Sequence, residues 1–340
     1  MTPIRVLVVD DSAFARKVLR ESLQTSAQIE VVGTARDGID ALEKIVQLHP
    51  DVITLDLVMP NLDGLGVLAA LSAQQRARVV VVSMADGESD LGVAALAYGV
   101  FDLVHKPTAL AVASLQDIAE ELVSKVLLAA AQPVRSEPQA SSPSSVPVPG
   151  TASERVVVIG TSTGGPQALT RLLKQFPADF PAPIALVLHI PAGYTGPLAQ
   201  RLNDECAIEV AEATHGMQMR PGLAIVAQAG MHLRCAAEGA GFVVHLDAEP
   251  RGSVHRPSVD VLFESAAMTF GRRVLGVVLT GMGDDGTRGA RAIVAAGGEV
   301  LVEAESSCVV YGMPRVVKEA GLAVAEAPLE RMAEAIVAWL

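Results

Sequence analysis

Aromatic residues are scarce: one Trp, three Tyr and seven Phe among 340 residues. The cores of such a chain must be packed from Val, Leu and Ala, as in layered α/β domains. Basic charge is also short, with 26 Lys and Arg against 38 Asp and Glu and a formal net charge of −12. That balance excludes a general basic surface for nucleic acid or anionic membrane. The three cysteines, Cys206, Cys235 and Cys308, are scattered and lack metal-ligand spacing. They read as reduced thiols, so a cytoplasmic location is expected. No apolar run reaches transmembrane length, Val123–Ala131 being too short, and no membrane insertion is expected. The opening MTPIRVLVVDDS reads as a strand followed by acids rather than a signal sequence. Half of the chain is hydrophobic, enough for substantial cores, and its length suits two domains.

The stretch Arg155–Gly165, RVVVIGTSTGG, stands out. Val156–Ile159 reads as a buried strand, and Pro166 opens a helical pattern at the position where proline is favoured. A serine on such a strand-to-helix turn is held out from the sheet beside helix N-terminal amides that can stabilise an oxyanion. Gly160-x-Ser162-x-Gly164 matches the spacing of a nucleophile elbow. The competing reading is a glycine-rich βα turn, or one that binds phosphate.

Residues 1–125 alternate strand and helix patterns. Strands are expected at Ile4–Val9, Glu30–Ala35, Val52–Leu55, Val79–Ser83 and Phe101–Val104. Helices are expected at Ala13–Leu23, Ile39–Leu48, Leu65–Ala73, Leu91–Ala97 and from about Val112. Five βα units imply a doubly wound, mainly parallel sheet with its ligands at the carboxyl ends of the strands. Polar groups gather there: Asp10 and Asp11 after the first strand, Asp56 after the third, Ser83 ending the fourth and Lys106 after the fifth. Three clustered carboxylates repel one another and call for a hard cation such as Mg²⁺. Ser83 and Lys106 could hold the oxygens of a phosphoryl group on Asp56.

Asp10-Asp11, Asp56 with Met59-Pro60, Asp63-Gly64, Ser83 and Lys106-Pro107 resemble the receiver domain of two-component response regulators over about residues 4–125. The resemblance implies a flavodoxin-like fold and a phosphoryl group accepted by Asp56 from a histidine kinase. It also implies Mg²⁺ held by Asp10, Asp11, Asp56 and the Val58 carbonyl. Many receivers carry an aromatic switch residue three positions before the lysine; here that residue is Leu103.

Residues 126–153 read as a helix end and a linker. Gln132–Ser153 is dense in Pro and Ser and poor in large apolar residues, a composition that cannot bury enough surface to fold. Residues 154–340 form a second α/β domain. A helix is expected at Gln167–Phe176 and strands at Ile184–Leu188 and Val274–Leu279. Ser162, His189 and the acids of Gly281-Met282-Gly283-Asp284-Asp285-Gly286 then all follow strand carboxyl ends. That grouping suits nucleophile, base and orienting acid.

Two rival readings sit in the same region. Gly281-x-Gly283-x-x-Gly286 has the form of a dinucleotide-binding fingerprint, with Glu303 placed to meet a ribose. His255, with Ser258 and Asp260 close by, could seed another triad, although capping and loop packing suit those residues better. His215, His232 and His245 read as surface or turn residues. A docking protein whose second domain is catalytically inert is the alternative outside enzymes.

GTSTGGP, HIPAGYT, HRPSVDVLF, LTGMGDDGTRGA and SSCVVYGMPR together resemble the chemotaxis methylesterase family, CheB, over about residues 154–340. The resemblance implies a cytoplasmic, phosphorylation-activated hydrolase. Its substrates would be glutamate γ-methyl esters on methyl-accepting chemoreceptors, with deamidation of certain glutamines. Carried over by position, Ser162 is the nucleophile, His189 the base and Asp285 the orienting acid. Thr163 and Met282 match positions whose amides could form the oxyanion hole. No cofactor is expected for the esterase, and the chain is expected to be a monomer.

Overall fold

The computed structural model describes residues 2–71, 77–83, 89–106, 115–131, 155–239 and 241–340. The linker Gln132–Ser153, Pro107 and the helix start near Val112 lie outside them. The chain divides into two compact units, Met1–Pro138 and Gln139–Leu340.

In the first unit, β1 (Ile4–Val9), β2 (Ile29–Ala35), β3 (Val52–Leu55), β4 (Arg78–Ser83) and β5 (Asp102–His105) form one parallel sheet. Its order is β2-β1-β3-β4-β5. The helices are α1 (Ala13–Leu23), α2 (Gly38–Leu48), α3 (Gly64–Ala70), α4 (Ser89–Ala97) and α5 (Leu115–Ala131). Strands buried on both faces read as continuous apolar runs, and Val6–Val9 and Val79–Val82 do so. Side-chain caps begin three of the helices: Ser12 accepts from Ala15 N, Asp37 from Asp40 N and Asp63 from Gly66 N. The strand order reverses between β1 and β3, which opens a crevice at their carboxyl ends.

The second unit runs β6 (Val156–Thr161), α6 (Gly165–Leu173), β7 (Ile184–Leu188), α7 (Thr195–Glu205), β8 (Glu209–Glu212), β9 (Met217–Gln218) and β10 (Leu223–Val226). It continues with β11 (His232–Glu238), β12 (Gly241–Asp247), α8 (Val259–Phe270), β13 (Val274–Val278) and α9 (Thr287–Ala295). The last elements are β14 (Glu299–Glu303), α10 (Met313–Glu319), β15 (Ala325–Ala327) and α11 (Leu329–Trp339). Seven strands make a parallel sheet of order β15-β14-β13-β6-β7-β10-β8, and β11-β12-β9 form a separate antiparallel sheet. The core between sheet and α8 includes Val156, Val158, Leu262, Phe263, Ala266 and Phe270.

Two local expectations change. Helix α6 starts at Gly165 and ends at Leu173, two residues earlier and three shorter at its end than the hydrophobic pattern suggests. Gly160 belongs to β6 rather than to the turn after it. Its lack of a side chain serves packing: a Cβ there would lie 2.2 Å from Val259 Cγ1 at the start of α8. The glycine lets α8 rest directly on the central strand.

Gly160→Ala is therefore expected to destabilise this unit by about 1–3 kcal/mol, the usual cost of forcing extra volume into a packed core. The chain has a single tryptophan, Trp339, on α11. Urea unfolding followed by its fluorescence reports on the second unit alone and checks the expectation.

Candidate active site

The site of the second unit lies where β13, β6 and β7 run side by side. The chain passes from β6 to β7 on one side and later returns to β13 on the other. Their carboxyl ends thus flank a topological switch point, where open α/β sheets bind ligands. Ser162 follows β6, His189 follows β7, and residues 280–286 follow β13. Backbone bonds lock the three ends together: Ser162 N donates to Thr280 O at 3.0 Å, and His189 N donates to Thr161 O at 3.2 Å. Gly281 closes this packing, because a Cβ there would stand 2.4 Å from Met313 Sδ and 2.9 Å from Ser162 Cβ.

Asp285 is the centre of the hydrogen bonding. Its carboxylate meets His189 Nε2 at 2.8 Å. It also accepts from Ser258 Oγ (2.9 Å), Val259 N (2.8 Å) and Asp260 N (3.0 Å). The last two amides belong to the first turn of α8, so Asp285 caps that helix from outside it, where the macrodipole favours negative charge. Burial alone would raise this carboxyl. The bond to His189, the charge of that ring and the α8 amides outweigh burial and hold it well below the usual carboxylate range. Asp260 returns the arrangement, its Oδ1 accepting from Gly286 N (3.0 Å) and Gly289 N (2.7 Å) at the start of α9. Asp284 takes no part in these contacts.

His189 is 8% exposed at its side chain, and its Nδ1 is buried with no hydrogen-bond partner among the described residues. With Nε2 turned to the acid, Nδ1 is the nitrogen left to exchange a proton. In the serine-protease arrangement the two nitrogens have the opposite assignment. His255 stacks on the same ring, with centroids 3.9 Å apart and planes 16° from parallel. Thr163 is buried, no hydrogen bond among the described residues uses its amide, and Met282 is exposed beside the turn.

The dinucleotide reading loses its site here. The amides that open α9 are taken by Asp260, and Glu303 is fully buried against Thr280 N at 2.8 Å, out of reach of a ribose. His232 also differs from the surface role expected of it. It is fully buried, its Nδ1 accepts from Ser258 N at 3.2 Å, and its Nε2 lies 3.3 Å from Pro250 O. It thereby supports the residue whose hydroxyl donates to Asp285. Sequence reasoning missed that support because an isolated histidine in a glycine-rich region carries no periodicity. His215 and His245 stack on each other away from these residues, with His245 paired to Glu238.

In the first unit, carboxylate oxygens of Asp10, Asp11 and Asp56 lie within 4.8 Å of one another. Lys106 Nζ reaches Asp56 Oδ2 at 2.7 Å and Asp10 Oδ2 at 3.0 Å. Burial pushes the Asp10 carboxyl up although Lys106 pulls it down. Burial would likewise lower Lys106, but its bond to Asp56 and the charges of Asp10 and Asp56 raise it. Three acids against one ammonium, all offering oxygen, suit a hard divalent cation. Ser83 is buried beside this group, and Lys106 N donates to Ser83 O at 2.9 Å. Val58 is half exposed on the loop after Asp56, and Leu103 is buried in β5.

Comparison with known proteins agrees with both units. The family model described as CheB methylesterase matches residues 157–336, and that of the response regulator receiver domain matches residues 6–116. A Myxococcus xanthus protein named protein-glutamate methylesterase/protein-glutamine glutaminase 5 is 61% identical over 336 residues, covering 98% of this chain and 97% of its own. A Symbiobacterium thermophilum protein named protein-glutamate methylesterase/protein-glutamine glutaminase is 45% identical over 351 residues, covering 98% and 96%. The crystal structure of the Thermotoga maritima CheB methylesterase catalytic domain aligns with a TM-score of 0.54 at 38% identity, covering 56% of this chain and all of that one. With the matched motifs on adjacent strand ends and near-complete coverage by such relatives, the chain belongs to the CheB methylesterase family and carries a response regulator receiver domain.

Proposed function

We propose that this chain is a phosphorylation-activated protein-glutamate methylesterase and protein-glutamine glutaminase acting on methyl-accepting chemoreceptors in the cytoplasm. Family membership and the names of full-length relatives support the activity. The observation that carries the mechanism is the bond from His189 Nε2 to Asp285, which leaves a buried Nδ1, without a partner among the described residues, after the strand next to the one that Ser162 follows. Among the described residues no helix is long and apolar enough to cross a membrane.

In this reading Ser162 Oγ attacks the γ-carbonyl carbon of a glutamyl methyl ester while its proton passes to His189 Nδ1. Asp285 holds the ring and stabilises the imidazolium. The oxyanion faces the amides of Thr163 and Met282, donors fixed before the charge develops. Collapse expels methoxide, which leaves as methanol with the proton from Nδ1. Water then attacks the acyl-serine and gives its proton to Nδ1. Collapse breaks the acyl–Oγ bond, Ser162 Oγ takes that proton back from Nδ1, and the glutamate is released. A glutamine side chain follows the same path with ammonia as the leaving group.

In the receiver, Asp56 accepts the phosphoryl group from the chemotaxis kinase, and Ser83 and Lys106 meet its oxygens. Asp10, Asp11, Asp56 and the Val58 carbonyl would hold Mg²⁺, which neutralises charge on the transferring group. The esterase reaction itself draws on protein groups alone, and the chain works as a monomer.

Methanol release from methylated receptor membranes tests the function. Ser162→Ala is expected to abolish it while leaving phosphate uptake at Asp56 intact. Asp56→Asn is expected to take up no phosphate and to lose the rise in methanol release that a phosphodonor brings to the parent. Asp285→Asn is expected to lower kcat by up to about 10⁴-fold, the cost of losing tautomer control in a serine protease, with Asp284→Asn having little effect.

The depressed carboxyl of Asp285 also has a pH signature. A group with a lowered folded pKa contributes stability that is complete above the unfolded value and disappears as pH falls through the folded one. The stability gap between the parent and Asp285→Asn, read by Trp339 fluorescence, should shrink as pH falls below about 4, near the ordinary aspartate value.

A further inference from the structure

Behind the turn that carries Ser162 lies another buried carboxyl, which the mechanism above leaves unused. Glu303 ends β14 with no exposed surface. Its titratable neighbours are Glu330 on α11 and the thiol of Cys308, and no cation pairs with it among the described residues. Its Oε2 accepts from Thr280 N at 2.8 Å. Its Oε1 accepts from Ser307 Oγ at 2.9 Å, a hydroxyl that itself accepts from Leu329 N at 2.9 Å and sits 3.2 Å from Ala304 O. As a carboxylate Glu303 would carry its charge at full burial with no cation beside it among the described residues. As a neutral acid it would donate from Oε1 to Ser307 Oγ, whose own hydrogen then turns to Ala304 O.

Thr280 relays this anchor to the nucleophile turn. Its carbonyl accepts from Ser162 N at 3.0 Å and from Thr161 Oγ1 at 2.7 Å. Its hydroxyl donates to Thr163 O at 3.0 Å and accepts from Val310 N at 2.9 Å. One residue thus touches Thr161, Ser162 and Thr163 in succession, and Glu303 holds its amide. An ionised, unpaired carboxylate at this depth would oppose the negative charge that develops beside Ser162.

We propose that Glu303 is a positioning residue that works as a neutral carboxylic acid, pinning Thr280 and through it the backbone of Thr161–Thr163. Burial pushes its carboxyl up, in keeping with that state. The inference rests on Ser162 being the nucleophile for its catalytic half, whereas the protonation state stands apart from that assignment.

The test compares the full-length parent with Glu303→Gln and Glu303→Ala. Glutamine can accept from Thr280 N and donate to Ser307 without charge, so its kcat should stay within about twofold of the parent. Glu303→Ala should lower kcat by about 10–100-fold with KM for receptor membranes nearly unchanged, since loss of alignment acts on the chemical step. Equal kcat loss in both variants, or no loss in either, would overturn the proposal.

Unfolding in urea at a series of pH values, followed by Trp339, reads the proton directly. A raised folded pKa means that the folded chain keeps a proton which the unfolded chain releases, so parent stability falls as pH rises between the two values. The unfolding constant of the parent relative to Glu303→Gln should therefore rise about tenfold per pH unit above roughly pH 4.3, until the folded pKa is passed. A ratio that is flat or falls with pH shows a carboxylate and refutes the neutral acid, even if Glu303→Ala does not fold. Turnover retained by Ser162→Ala would remove the nucleophile assignment but leave this pH comparison decisive for Glu303.

Discussion

One carboxylate, that of Asp285, is bound at once to the first turn of α8 and to the imidazole of His189. The rest of the site follows from that double contact. Ionised carboxylates offer about four lone-pair positions, and His189, Ser258, Val259 and Asp260 supply four donors. Its charge is therefore fully used by the protein and remains in place when the neighbouring ring gains a proton. Because α8 also packs on β6 through Gly160 and Val259, the helix that fixes the acid is the helix that rests against the strand leading to Ser162. Sheet, helix and the Asp285–His189 pair are a single mechanical unit.

Environment rather than residue type separates the two buried acids of this unit. Asp285 faces a helix N-terminus, two backbone amides, a hydroxyl and an imidazole, all of which favour its charged form. Glu303 meets one amide and one hydroxyl and has Glu330 as its charged neighbour. Burial and the nearby Asp285 push Asp260 up as well, although the α9 amides favour its charge. Four donors hold Asp285 down, whereas Asp260 and Glu303, with fewer donors each, are raised by burial.

Much of the fold was legible because parallel strands covered on both faces leave unbroken apolar runs, as in VVVI at 156–159 and VLGVV at 274–278. The polar residue that ends each run marks the chemical edge, which is how Ser162, His189 and the residues after β13 could be singled out. Strand order was not legible. Periodicity carries no information that β6 lies between β13 and β7, since Val156 pairs with Val274 across more than a hundred residues. Gly160 looked like part of a turn because its actual constraint, the contact with Val259, comes from a distant helix. His232 and His255 were obscured for the same reason. One supports Ser258 and the other stacks on His189, and neither relation leaves a local trace. Glu303 did show an acid at a strand end, yet its direction, inward to Thr280, depends on the tertiary fold.

The receiver uses the same architecture with the opposite electrostatic solution. Its switch point also lies between adjacent parallel strands, β1 and β3, but there three carboxylates cluster and one ammonium reaches two of them, instead of one carboxylate meeting four donors. The Asp285 carboxylate is fully met by protein donors, whereas the receiver is left with surplus negative charge that suits a cation. A phosphoryl group on Asp56 adds further charge and acceptor oxygens to that crowded site. Lys106, now shared between Asp10 and Asp56, is the nearest group able to answer it. Its amide is bonded to Ser83 O, so a move of Lys106 toward new oxygens is felt where β4 ends. Incomplete neutralisation thus leaves the receiver cluster open to added charges, while the carboxylate of Asp285 already has its charge met.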